Sequence, residues 1–117
     1  MDGELYPLVL DWIRSTCAVD HVNLITEASL DRRLLNIPDL ERILKKFRDL
    51  TKDQDHTTGL FLVGYEGSIN EELRKDARRD RFRKAAAALQ RRLKDHRVVC
   101  LWVSEQLQIT TLRETAS

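Results

Sequence analysis

Cysteine, proline and glycine are scarce in this chain, and each shortage excludes something. Cys17 and Cys100 stand too far apart to form a disulfide framework, and no Cys-x-x-Cys occurs, which excludes dithiol redox chemistry. Four glycines and two prolines exclude collagen-like or low-complexity character. No apolar run approaches the ~18 residues of a membrane span, and no basic-plus-apolar leader opens the chain. Charge of one sign is missing as well. A formal net charge of +1 points neither to nucleic acid nor to a membrane surface. The expectation is a soluble cytoplasmic protein of a reducing compartment. Glycine-rich phosphate loops, His-Glu-x-x-His and Gly-x-Ser-x-Gly are absent too.

What is present is apolar periodicity, 42% of the 117 residues being hydrophobic. Leu5, Leu8, Val9, Trp12 and Ile13 follow the i, i+3, i+4, i+7, i+8 stripe of an amphipathic helix, with Pro7 tolerated in its first turn. The segment from His21 to Glu27 has the partial alternation of a strand. Residues 28–36 predict irregular chain or a short helical turn tucked in by Leu30, Leu34 and Leu35. A second helix is expected from Asn36, a good N-cap, with Ile37, Leu40, Ile43, Leu44, Phe47 and Leu50 on its apolar face. Leu60–Tyr65 and Val98–Val103 are apolar on both strand faces, which requires cover above and below a central position.

Between those two runs, Phe82, Ala86, Leu89 and Leu93 share one helix face, while Ile69, Leu73 and Ala77 fall nearly opposite. That phase break predicts a loop or short helix over 66–78 and a main helix over 79–95. The loop flanked by Gly64 and Gly67 is expected to be the most mobile segment. Leu107–Leu112 alternates as an edge strand, hairpinned through Ser104-Glu105-Gln106. The resulting order, α-β-α-β-α-β-β, predicts a single α/β domain over residues 1–117. It is a three-layer sandwich around a small, mostly parallel four-stranded sheet, with an antiparallel C-terminal edge strand. That edge could pair with its twin in a homodimer.

Three constellations could carry chemistry. Every histidine follows an aspartate, and every Asp-His pair stands just before an expected strand: Asp20-His21, Asp55-His56 and Asp95-His96. Parallel strands would gather them at one sheet edge, where imidazoles oriented by carboxylates suit zinc, though Asp-His pairs also serve ordinary turns. The same strands end in Glu27, Glu66 and Glu105. Parallel sheets place ligands at their carboxyl ends, so these acids are candidates for Mg²⁺ binding or acid–base work on a phosphate-containing substrate. Arg32, Arg33, Arg78 and Arg79 would then be phosphate contacts from adjoining loops.

The third constellation is charge segregation. Residues 74–97 hold eleven Lys or Arg against three Asp, a net +8 that leaves −7 for the rest. Arg74, Arg78, Arg79, Arg81, Arg83 and Arg91 therefore define a candidate contact surface for an acidic protein surface or nucleic-acid phosphates. No exposed aromatic platform is evident near the basic run, which weakens a single-strand or RNA reading. The functional expectation is a non-enzymatic binding or regulatory domain, with the Mg²⁺-dependent enzyme as the alternative.

Overall fold

Strands whose two faces are both apolar can be stable only in the middle of a layered structure, and the computed structural model places them there. It describes residues 5–17, 19–27, 38, 41, 42, 45, 46, 49, 57–67, 75–94 and 96–114, with the backbone alone at 20, 21, 57, 58 and 75. Helix α1 (Leu5–Cys17) precedes β1 (Val19–Thr26) and β2 (Thr57–Tyr65); α2 (Lys75–Arg92), β3 (Val98–Val103) and β4 (Ile109–Glu114) follow. The sheet order is β1-β2-β3-β4. The first three strands run parallel, and β4 returns antiparallel to β3. The expected α/β sandwich with its antiparallel C-terminal edge is the fold observed.

Each sheet face carries its own core. Phe61 and Val63 of β2 and Val99, Leu101 and Val103 of β3 meet Leu5, Val9 and Ile13 of α1. From the other face, Leu60, Leu62, Val98, Cys100 and Trp102 meet Phe82, Ala86, Leu89 and Leu93 of α2. Period 2 along the strands and period 3.6 along the helices divide the apolar residues between two layers. All six β3 side chains are buried. The last turn of α1 is tied by the Ser15 hydroxyl, which donates to the Asp11 carbonyl at 2.8 Å.

Two bulges set the register. Val19 pairs with Thr57 but His21 with Thr58, so Asp20 is an extra residue. Val19 and Val22 can then both face α1, three positions apart. In the other pair, Leu101 faces Thr111 but Cys100 faces Arg113, which makes Leu112 the extra residue. Leu112 packs toward the α2 layer and Arg113 donates to the Gln90 side chain of α2. Glu114 is thereby delivered to the opposite side.

Several boundaries differ from expectation. β1 begins at Val19, so His21 lies inside the strand. α2 is continuous from Lys75 with no break at 78/79, and Ala77 is simply exposed. Gly64 belongs to buried β2, not to a mobile loop. β4 starts at Ile109 because Leu107 is a turn residue with φ of 63°. The Leu107 and Ser104 N–H groups donate to Ser104 and Gln108 carbonyls respectively, closing the hairpin. In the expected second helix, Pro38, Glu41, Arg42, Lys45, Lys46 and Asp49 are helical and exposed. Their spacing is that of the polar face; its apolar positions, like residues 28–36 and 68–74, lie outside the described residues.

Leu107 is half exposed and left-handed, a backbone state that costs an ordinary L-residue about 1–2 kcal/mol. Leu107→Gly is therefore expected to raise unfolding free energy by about 1 kcal/mol in urea titration. Leu101→Ala, in the fully buried β3, is expected to lower it by about 2–5 kcal/mol.

Candidate functional site

The carboxyl ends of the three parallel strands meet the first turns of α2, and the helix phase decides what gathers there. Arg78 lies four residues before Phe82 and eight before Ala86, on the buried stripe, so its side chain turns inward over the sheet edge. It is 4% exposed. Its Nη2 donates to Glu27 Oε2 at 2.7 Å and to the Tyr65 carbonyl at 3.1 Å. Nη1 donates to the Glu66 carbonyl at 3.4 Å. The guanidinium carbon lies 5.5 Å from the centre of the Trp102 ring. One cation thus touches the ends of β1, β2 and β3.

Arg79 repeats the arrangement nearer solvent. Its Nη2 donates to Glu66 Oε1 at 3.1 Å, and its guanidinium carbon lies 5.7 Å from the Trp102 ring. Glu27 and Glu66 are each 15% exposed, Arg79 36%. The Glu66 N–H donates to the Val103 carbonyl at 2.8 Å, carrying β2–β3 pairing one residue past the strand. Trp102 also packs against Phe82, ring centres 5.9 Å apart and tilted by 54°. It fits because its β2 neighbour is Gly64, where a Cβ would sit 2.6 Å from two indole carbons. The buried Trp102 Nε1 and Arg79 Nε have no hydrogen-bond partner among the described residues.

Of the three strand-end acids, Glu27 and Glu66 are drawn into this guanidinium cluster, while Glu105 is exposed in the β3–β4 turn. Within the arginine set, Arg78 is buried and Arg79 half-buried in ion pairs. Arg81, Arg83 and Arg91 are exposed on α2, and Arg74 lies outside the described residues, as do Arg32 and Arg33. His21 pairs with Thr58 in backbone register, its side chain not described; His56 lies outside the described residues. His96 is half-buried before β3, its N–H donating to the Leu93 carbonyl. A helix beginning at 79, as the phase break predicts, leaves Arg78 off the buried stripe and hides its internal role in the sequence. Extending the stripe through Phe82, Ala86 and Leu89 one turn backward would have found it.

The amino edge has an arginine of its own. Arg97 Nε and Nη2 donate to Glu114 Oε1 at 3.0 and 2.6 Å, and Nη1 donates to the Cys17 carbonyl at the end of α1 at 3.2 Å. A cation on the last carbonyls of a helix opposes its dipole favourably. Burial pushes the Cys17 thiol up despite the neighbouring Arg97, and pushes Cys100 up to about 12 despite Arg83 and Arg113. Neither thiol has thiolate character at neutral pH.

A three-layer α/β domain with a basic helix and an ion-paired cluster at the strand carboxyl ends is the class these observations define. A family described as "putative carbonic anhydrase" matches residues 1–113, and the chain belongs to that family. No curated protein and no solved structure matches it. Carbonic anhydrase chemistry relies on zinc held by three protein ligands, which lowers the pKa of bound water to about 7. The donors described at the carboxyl edge do not fit that role. In sequence, the residues that follow the three parallel strands, 27–37, 66–74 and 104–108, include no histidine or cysteine. Cys17 lies at the opposite edge and Cys100 is buried within β3. Glu27 and Glu66 are held by guanidinium groups. Among the described residues, no three His, Cys, Asp or Glu side chains group to hold a metal ion.

Two outcomes follow. Gly64→Ala drives a methyl group into the Trp102 ring, so thermal melting should fall by several degrees, with Trp102 fluorescence altered. Cys100 keeps its proton in the folded state up to about 12, whereas the unfolded thiol loses it near 9.0. Its contribution to stability is thus complete below pH 9.0 and declines as pH rises from there toward 12. Urea titrations of wild type and Cys100→Ala at increasing pH should show a steeper alkaline loss in wild type.

Proposed function

We propose that this member of the family acts as a binding domain that presents the outer face of α2 to an acidic protein surface. One observation carries the reading. From Arg81 to Lys94 the chain has six cationic residues and no anionic one, and Arg81, Arg83, Lys84, Arg91, Arg92 and Lys94 are all exposed. Phe82, Ala86, Leu89 and Leu93 anchor the opposite face in the core, so the helix cannot turn its charges away.

The arrangement of these charges favours a protein partner over a nucleic-acid backbone. Arg81 and Arg92 flank one side of the exposed face, Arg83 and Lys94 the other, and Lys84 and Arg91 lie between. The exposed Ala88 and half-buried Ala85 and Ala87 leave a small apolar strip among them. Arginine supplies four of the six cations, and arginine is the charged residue that protein interfaces favour. Phosphate backbones need only the cations. The Lys84–Asp80 contact at 3.0 Å is an exposed i,i+4 pair and withdraws little of this charge. A role for Glu27 and Glu66 as metal-binding acids has less support, since guanidinium groups already neutralise both.

The test compares binding of a glutamate-rich peptide and of duplex DNA to the full chain, at about 50 mM and about 200 mM salt. The peptide is expected to bind with affinity that falls as salt rises. The triple variant Arg83→Glu, Arg91→Glu, Arg92→Glu is expected to lose that binding at least tenfold while keeping the wild-type circular-dichroism spectrum, with a modest fall in melting temperature because Arg91 and Arg92 lie in the last turn of α2. DNA binding tighter than peptide binding would replace the protein partner with a phosphate backbone. Binding of neither, or binding unchanged by charge reversal, would remove the proposal.

A further inference from the structure

We infer that the cluster at the strand carboxyl ends is a cation site occupied by the chain's own Arg78, so this family member takes no divalent metal there. Glu27 Oε2, the Tyr65 carbonyl and the Glu66 carbonyl all face the Arg78 guanidinium, with Glu66 Oε1 beside them on Arg79. Carboxylate and carbonyl oxygens around a buried positive centre form the shell that a hard cation such as Mg²⁺ or Ca²⁺ would seek. Here each is engaged by an N–H donor. The charge is permanent, because guanidinium does not deprotonate in proteins, and it is shielded from water at 4% exposure. A divalent ion approaching Glu27 would meet Arg78 at 2.7 Å from that carboxylate, and Arg79 within the same cluster. The softer nitrogen and sulfur donors that zinc prefers are absent from the segments following these strands.

This inference is independent of the basic face of α2, because its readouts are metal content and melting temperature. Full-length protein purified from zinc-supplemented cells is expected to carry far less than one zinc per chain. Cobalt(II) should give no tetrahedral visible absorption, and Zn²⁺, Mg²⁺ and Ca²⁺ should leave the melting temperature unchanged. Arg78→Ala should melt well below wild type, partly restored by millimolar guanidinium ion, and Mg²⁺ or Ca²⁺ should now raise its melting temperature. If Arg78→Ala does not fold, Arg78→Lys takes its place. It keeps one charge but not the forked donors, and is expected to melt between wild type and a Glu27→Gln, Glu66→Gln double variant that leaves Arg78 and Arg79 without their respective carboxylates. Stoichiometric zinc, a metal-dependent rise in wild-type melting, or wild-type stability in Arg78→Ala or Arg78→Lys would each overturn the inference.

Discussion

A single buried guanidinium joins the carboxyl ends of the three parallel strands. Arg78 reaches Glu27 after β1, two carbonyls at the end of β2, and the Trp102 ring on β3. Strand ends are where a parallel sheet frays, because beyond the last ladder bond nothing fixes their spacing. A charge-assisted bond contributes roughly twice as much as a neutral one, and the forked donor geometry holds several acceptors at once. The cost is dependence: each carboxylate is half-buried beside its cation, and losing one partner leaves the other partly desolvated and unpaired. Arg97 does similar work at the opposite edge, linking β3, β4 and the end of α1. The sheet is thus bounded at both ends by arginines, one inside the α2 layer and one beside α1.

These clamps depend on register. A strand shifted by one residue presents its other face, so Glu114 meets Arg97 only because the bulge at Leu112 moves it to the α1 side. The bulge at Asp20 likewise returns Val22 and Leu24 to the α1 core. Gly64 matters for the same reason. Without a side chain on β2, the Trp102 ring lies flat over its neighbour and offers its face to Arg78 and Arg79. The polar cluster and the apolar packing beneath it are one construction.

Family membership and local chemistry point in different directions here. The chain belongs to a family described as "putative carbonic anhydrase", yet the donors described at its strand carboxyl ends are carboxylates neutralised by arginine. A shared fold supplies a crevice; the residues lining it determine what that crevice does. Among the described residues, the exposed cations Arg81, Arg83, Lys84, Arg91, Arg92 and Lys94 lie elsewhere, on the outer face of α2.

Much of the architecture was legible in the residues themselves. Leu60–Tyr65 and Val98–Val103 are apolar on both faces, and only central strands under two helical layers can bury such runs. The stripes Leu5, Val9, Ile13 and Phe82, Ala86, Leu89, Leu93 identified the helices that cover them. The segregation of positive charge was equally visible, since it requires only counting. Less visible were the two bulges, which arise from pairing between strands distant in sequence. The role of Arg78 was hidden for a related reason. An arginine within a basic run looks like one more solvated cation until helix phase and strand direction bring it to Glu27, 51 positions earlier. Local periodicity follows from the backbone geometry of each segment and is carried by sequence alone; which charges meet, and whether they face water or one another, was decided only when the segments packed.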